Sequence, residues 1–198
     1  VPDRRRILID DTLHKAKHRW AEGHETIHSI LDWHEPVLHG DSELTMKQSC
    51  LDKVEAEANY GAGQLLFLRE RFAAEFLDSP PSVELVKSLA KDFKNTHAST
   101  LWRLVETAGH QRPILGVMPY HPPPRFASDK NDPANPCRHF IRSDAFASMF
   151  SATSELAIFE SISNYIQPRK GGPVGSDTVL LADDNGEQHE FSFETFNF

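Results

Sequence analysis

Cysteine and long apolar runs are both scarce in this chain. Only Cys50 and Cys137 occur among its 198 residues, too few for the disulfide framework that stabilises small secreted domains. No apolar run approaches the roughly 20 residues that a membrane-spanning helix needs, and the mean hydropathy is -0.47. The residues after the basic cluster at 4–6 contain no apolar segment typical of a secretory signal. These absences predict a cytoplasmic protein that does not enter a membrane.

Basic side chains are also scarce in this chain. The 29 Asp and Glu residues outnumber the 21 Lys and Arg residues, which gives a formal net charge of -8. Nucleic-acid binding needs clustered Lys and Arg side chains that neutralise phosphates, so we expect no direct contact with nucleic acid. The single basic cluster, residues 4–6, is interpreted as a solvated segment that leads into a strand.

Apolar spacing divides the first half of the chain into predicted helices. In residues 14–34, Trp20, Ile27 and Leu31 fall near helical spacing, and Pro36 is expected to end that helix. The other predicted elements are a strand over 5–10, a loop over 35–50, and helices over 50–77, over 82–93 with Ser82 as a cap, and over 97–108.

The character of the chain changes after Gly109. Prolines crowd residues 113–136, which predicts an irregular, extended segment, and residues 143–166 are expected to be partly helical. A length of 198 residues suits one compact domain with a small appendage. We therefore predict one domain over residues 1–108 and an extension over 109–198.

The end of the chain has the pattern of a β-hairpin. Residues 178–182 and 188–193 are rich in apolar and β-branched side chains and flank a turn that contains Asn185-Gly186. Together with the helices, this pattern predicts an α+β fold in which a small sheet accompanies a larger helical part.

The densest chemical signal is the run His24-Glu25-Thr26-Ile27-His28. Two histidines four residues apart on a helix point to one side and can bind one zinc ion. Glu25 then lies beside the metal, where it can take a proton from an attacking water and pass it to a leaving amine. The run therefore predicts a metal centre with hydrolytic chemistry, although three fixed positions also occur by chance in a histidine-rich helix.

Two residues are candidates for the third ligand. Glu55 lies on the predicted second helix, and His34 follows His24 by ten residues. The ten-residue spacing from His24 to His34 matches the metzincin pattern H-E-x-x-H-x-x-G-x-x-H. Leu31, however, stands at the glycine position of that pattern and favours a continuing helix. On a helix that continued to residue 34, His34 would be rotated by about 280° from His24. From spacing alone, both candidates stay open.

Four segments carry a resemblance to a known family. Residues 17–28, KHRWAEGHETIH, resemble the R-F-x-x-A-H-E-x-G-H segment of the ImmA/IrrE metallopeptidases. Residues 55–66, EAEANYGAGQLL, resemble their E-x-E-A-N-x-F-A-x-x-L-L-M-P helix, and LAKDF at 89–93 and LWRL at 101–104 resemble their helical tail. The resemblance keeps the order of the segments and covers about residues 5–108.

The resemblance implies a site as well as a fold. It implies that His24, His28 and Glu55 hold Zn²⁺ and that Glu25 is the general acid and base. It also implies a zincin-like fold, with a small sheet packed on helices. The implied activity is limited cleavage of a regulatory protein, commonly a helix-turn-helix transcriptional repressor, in transcription regulation or stress response.

Some positions depart from the family pattern. Gly23 stands where alanine is usual, Ile27 where glycine is usual, and Gly61 where phenylalanine is common. None of these changes removes a metal ligand or a proton-transfer group.

Glu57 is the alternative to Glu55 as the third ligand. Residues two positions apart on a helix point about 200° apart, so only one of the two can face the histidines. The apolar spacing sets Glu55 nearer the buried stripe of the helix.

Three further polar residues are candidates for supporting roles. Tyr60 and His97 could stabilise an oxyanion, although residues of these types more often pack or face solvent. Asn59, which matches the family pattern, is expected to make a structural hydrogen bond.

Two other functions stay open beside the peptidase. The chain could be a catalytically silent module that binds zinc structurally, or a sensor or interaction module. It could also be a metzincin-like secreted protease that uses His34. A structural site has no need of Glu25, which favours the peptidase.

Overall fold

A computed structural model of the chain describes residues 6–40, 47–119, 134–165 and 172–197. Its elements are α1 (Lys15–Ile30), α2 (His34–His39), α3 (Gln48–Leu66), α4 (Glu70–Leu77), α5 (Val83–Asp92), α6 (His97–Ala108), β1 (Leu115–Pro119), β2 (Cys137–Arg142), α7 (Asp144–Met149), α8 (Glu155–Ile162), a 3-10 turn (Ser163–Tyr165), β3 (Gly172–Ala182) and β4 (Gln188–Asn197). The predicted α+β class is confirmed. Among the helices of these ranges, none combines the length and apolarity needed to cross a bilayer.

The chain forms two compact units that are not consecutive in sequence. The first unit comprises Val1–Glu75 and Ser88–Thr100, and the second comprises Phe76–Lys87 and Leu101–Phe198. The boundary after residue 108, between a domain and an extension, comes from the sequence pattern and stays a prediction.

The N-terminal segment differs from the sequence-based expectation. Residues 6–10 form no strand, so the predicted strand is wrong over the part that the structure describes. α1 ends at Ile30 rather than near residue 34, and α2 begins at His34 after a turn. Pro36, which was expected to end the first helix, lies in the first turn of α2, where its missing N–H leaves no helical hydrogen bond unmade.

The early end of α1 has a tertiary cause. The backbone N–H of His34 donates to the carbonyl of Leu31 at 2.9 Å, and this turn buries the His34 side chain completely. Its imidazole lies against His28. Leu31 prefers a helix by only a few tenths of a kcal/mol over most residues, so these buried contacts outweigh its local preference.

The predicted helix over 50–77 is two helices. α3 ends at Leu66, and Leu68 and Arg69 adopt left-handed backbone angles, with φ of 53° and 46°. This conformation costs roughly 1–2 kcal/mol at each non-glycine residue. The turn places Phe67 and Phe72 in the core with no exposed surface and with ring centroids 4.9 Å apart. Burial of two aromatic side chains offsets the strain.

The helices predicted over 82–93 and 97–108 are confirmed as α5 and α6. The expected cap on α5 is present, because Ser82 Oγ accepts a hydrogen bond from the N–H of Leu85 at 3.1 Å. Thr96 Oγ1 accepts in the same way from the N–H of Ser99 at 3.1 Å, at the start of α6. Such caps satisfy amide donors that a helix leaves without partners at its first turn.

Small residues let α1 and α3 approach closely. A Cβ atom built on Gly23 would lie 3.3 Å from the side chain of Leu66 and 3.6 Å from Ala62 Cβ. A Cβ atom on Gly61 would lie 2.8–2.9 Å from three carbons of Ile27. These contacts leave no room for a larger residue at position 61.

We expect Gly61→Ala to lower the free energy of unfolding by about 1 kcal/mol or more. The added methyl would overlap Ile27 near its branch point, and overpacking costs roughly 1–3 kcal/mol. Gly63→Ala is the control on the same helix, because a Cβ there would meet no atom within 4 Å. It should gain the helical preference of alanine, about 0.5–1 kcal/mol. Urea unfolding measures both, and equal stabilisation by both changes would contradict the close approach.

The second unit contains the two sheets that the described residues form. β1 pairs antiparallel with β2, with Leu115 opposite Arg142. The predicted irregular segment over 113–136 is therefore wrong at 115–119, where a short proline-free apolar run precedes Pro119. The remainder of that prediction over 120–133 lies outside the described residues.

The predicted C-terminal hairpin is confirmed and is longer than expected. β3 pairs antiparallel with β4 from Ala182 opposite Gln188 outward, and Gly186 in the turn has φ of 85°. Phe191 on β4 packs against Phe150 with ring centroids 5.2 Å apart. The partly helical character predicted for 143–166 is confirmed by α7 and α8.

Candidate metal centre

Three side chains from two helices converge in the first unit. His24 and His28 lie one turn apart on α1, and their Nε2 atoms are 3.0 Å apart. Glu55 on α3 places Oε2 at 3.2 Å from His24 Nε2 and Oε1 at 3.5 Å from His28 Nε2. We call these three candidate metal ligands, His24, His28 and Glu55, the ligand triad.

The ligand triad fits a tetrahedral metal ion. With zinc bonds of about 2.0–2.1 Å, neighbouring ligand atoms of a tetrahedron lie about 3.3 Å apart. The two Nε2 atoms are 3.0 Å apart, and each lies 3.2–3.5 Å from a different oxygen of the Glu55 carboxylate. Two imidazole nitrogens and one carboxylate oxygen also form a donor set that is typical of catalytic zinc sites, in which a fourth position stays open.

The second nitrogen of His24 has its own partner. His24 Nδ1 lies 3.1 Å from Asn59 Oδ1. With the amide oxygen as acceptor, Nδ1 carries the proton, and Nε2 keeps a lone pair. That lone pair faces the carboxylate of Glu55, so both groups are acceptors and a cation between them would satisfy both. The structural hydrogen bond expected for Asn59 is thus a bond to His24.

Burial keeps His28 in the neutral form that binds metals. Removal from water lowers the pKa of His28, and the neighbouring His24 lowers it further, while the negative charges of Glu55 and Glu25 raise it less. The net shift is downward, so the imidazole is neutral at neutral pH and has a lone pair to share.

Glu25 lies beside the ligand triad rather than in it. It is half-buried on α1, about 100° around the helix from His24 and 60° from His28. Its negative charge raises the pKa of His28, so the carboxylate is close to that ligand.

His34 lies behind His28, on the side away from the ligand triad. His34 Nδ1 is 2.8 Å from His28 Nδ1, whereas the triad uses His28 Nε2. A metzincin-like site would need His34 beside the Nε2 atoms, and the early end of α1 does not bring it there. The turn after α1 therefore keeps His34 out of a metzincin-like site. The continuous helix that Leu31 led us to expect is not the cause.

Glu57 contacts His34 instead of the ligand triad. Glu57 Oε2 is 3.0 Å from His34 Nε2 and accepts a hydrogen bond from Trp33 Nε1 at 2.7 Å. Hydrogen bonds from Trp33 and His34 lower the pKa of Glu57. Glu55 lies nearer than Glu57 to the buried positions of α3, as the apolar spacing predicts, although its side chain is 48% exposed and that of Glu57 is 34% exposed.

The structure places Tyr60 on α3 and His97 on α6, and these are the two candidates for stabilising an oxyanion. Tyr60 is 61% exposed, and its position on α3 is about 140° around the helix from Glu55. His97 is the half-buried first residue of α6. A role for either residue in the reaction stays a prediction.

Comparison with known families agrees with this geometry. A family model described as the IrrE N-terminal-like domain, in a family of peptidases, matches residues 1–105, which is more than half of the 198-residue chain. The chain belongs to this family. Comparisons with curated proteins and with solved structures give no match.

Membership in the IrrE-like family confirms the resemblance that the sequence carries. It indicates a metallopeptidase, and therefore a hydrolase that uses a metal ion and acts on protein. The matched range contains the whole ligand triad and Glu25.

The structure also explains two departures from the IrrE-like pattern. Ile27 replaces a usual glycine, and Gly61 replaces a common phenylalanine. These two positions are in direct contact across α1 and α3. The side chain of Ile27 occupies the space that a side chain at position 61 would need.

A second group of possible ligands occurs among the described residues. Asp183, Glu187 and His189 lie together at the β3–β4 turn. Asp183 accepts hydrogen bonds from the N–H groups of Asn185 and Glu187 and lies 3.3 Å from His189 Nε2. These contacts account for the group as part of the hairpin turn.

Proposed function

We propose that this chain is a zinc-dependent endopeptidase. The observation that carries the proposal is the convergence of His24, His28 and Glu55 within 3.0–3.5 Å of one another, with the charge of Glu25 close to His28. In this proposal residues 1–108 form the peptidase domain, with 109–198 as an extension.

The residues of the chain have distinct tasks in the reaction. When bound, zinc supplies Lewis-acid chemistry: it lowers the pKa of a water toward about 7 and polarises a carbonyl. His24, His28 and Glu55 hold the metal. Glu25 accepts the proton of the attacking water and then donates it to the nitrogen of the leaving amine.

We propose a regulatory protein as the substrate. The ImmA/IrrE resemblance supports a helix-turn-helix transcriptional repressor, cleaved in transcription regulation or stress response in the cytoplasm. The net charge of -8 is compatible with a basic partner. Incubation of the zinc-loaded chain with such a repressor, with and without a chelator, tests the activity.

We expect the purified chain to bind one zinc ion, and His24→Ala to lose it. The substitution removes one of three protein ligands, and the remaining two cannot complete the site. Metal analysis after dialysis against a weak chelator measures the stoichiometry. His18→Ala is the matched control, because His18 lies on the same helix and pairs with Glu22 at 3.3 Å. Equal zinc content in wild type and His24→Ala would contradict the site.

A further inference from the structure

A continuous chain of side-chain contacts leads from Glu57 to the ligand triad. Glu57 Oε2 lies 3.0 Å from His34 Nε2. His34 Nδ1 lies 2.8 Å from His28 Nδ1. His28 then presents Nε2 to His24 and Glu55 on the opposite edge of its ring.

The donor and acceptor roles in this chain follow from its first member. A carboxylate only accepts hydrogen bonds, so His34 Nε2 carries the proton that faces Glu57. If His34 is neutral, its Nδ1 has a lone pair, and the 2.8 Å contact then makes His28 Nδ1 the donor. His28 Nε2 is left with a lone pair, which points into the ligand triad.

We propose that His34 and Glu57 are positioning residues that hold His28 in the tautomer with the proton on Nδ1, so that Nε2 is free to bind the metal. The inference rests on the proposed function, in which His28 is a ligand. Outer partners of this kind orient metal-binding histidines and raise their affinity for the metal.

Burial makes this arrangement depend on the protein rather than on solvent. His34 has no exposed surface, and His28 is 8% exposed. Water cannot replace His34 as a hydrogen-bond partner there, so loss of the acceptor leaves a buried N–H without a partner. The second donor to Glu57, Trp33 Nε1 at 2.7 Å, holds the carboxylate in place.

The first test compares zinc affinity in two variants at position 34. His34→Leu fills the volume but removes the acceptor, and we expect zinc affinity to fall by about 10–100-fold. His34→Asn places an amide oxygen near the position of Nδ1, and it should restore most of the affinity. Competition with a chromophoric chelator measures each value. His39→Leu, at an exposed histidine of α2, is the control and should bind as wild type does.

Substitution of Glu57 tests the start of the chain of contacts. Glu57→Leu removes the acceptor that orients His34 and should lower zinc affinity in the same direction. Glu57→Gln keeps an oxygen acceptor and should lower it less. If Glu57 matters only for its charge, Glu57→Leu and Glu57→Gln should lower zinc affinity equally, because both variants remove the charge.

The tautomer itself gives a readout that does not depend on metal or activity. Free histidine in water prefers the proton on Nε2. Nitrogen-15 NMR of the metal-free chain should find the proton of His28 on Nδ1 in wild type and in His34→Asn. In His34→Leu it should move to Nε2. If wild type binds zinc but His34→Leu changes neither affinity nor tautomer, the positioning role is wrong while the peptidase proposal stands. If wild type binds no zinc, both are wrong.

Discussion

Glu25→Gln is expected to lower the rate of peptide-bond cleavage by at least about 100-fold, a typical contribution of a general acid and base. Glutamine has the shape of glutamate but cannot accept the proton of the attacking water. Glu25 is outside the ligand triad, so zinc content and thermal stability should stay close to those of wild type. The measurement is single-turnover cleavage of a protein that wild type cleaves, together with metal analysis of the same preparation.

The control for this change is Glu22→Gln on the same helix. Glu22 is 55% exposed and pairs with His18 at 3.3 Å, so its replacement also removes one negative charge from α1. It should leave cleavage unchanged. Cleavage by Glu25→Gln at the wild-type rate would remove Glu25 from the mechanism, and loss of zinc in that variant would instead make it a ligand.

Glu55→Ala is expected to lower zinc affinity by more than the roughly 10–100-fold that loss of an outer partner costs. The substitution removes the carboxylate that lies 3.2 Å from His24 Nε2 and 3.5 Å from His28 Nε2. Because the side chain is 48% exposed, its loss opens no core cavity, and the fold should tolerate it. Chelator competition measures the affinity, and cleavage should fall in parallel at limiting zinc.

Asp52→Ala is the matched control for the Glu55 substitution. Asp52 lies one turn earlier on α3, is exposed, and accepts a hydrogen bond from Gln48 at 2.8 Å. Its removal changes the net charge in the same way without touching the triad. If Glu55→Ala bound zinc as tightly as Asp52→Ala, Glu55 would not be the third ligand. Complete loss of zinc in His34→Leu would then make His34 the third ligand.

Local sequence patterns predicted most helices and the hairpin, because these features depend on nearest neighbours. The cap at Ser82 and the turn at Gly186 are examples, since each is stabilised by atoms a few residues away. The predictions were wrong where distant contacts outweigh local preference. α1 ends before Leu31 so that His34 can be buried, and Leu68 adopts a left-handed angle where Phe67 enters the core.

The sequence alone determined the chemistry of the candidate site. The spacing of His24, Glu25 and His28 needs only helix geometry to place them on one side, and the order of the matching segments was enough to indicate the family. Only the tertiary structure decided which carboxylate meets the histidines and what His34 does. Those outcomes depend on how α3 packs on α1 and where the chain turns after Ile30. Helix periodicity favoured Glu55, but it could not show that the exposed carboxylate of Glu55 reaches His24 and His28, because that contact depends on how the two helices pack.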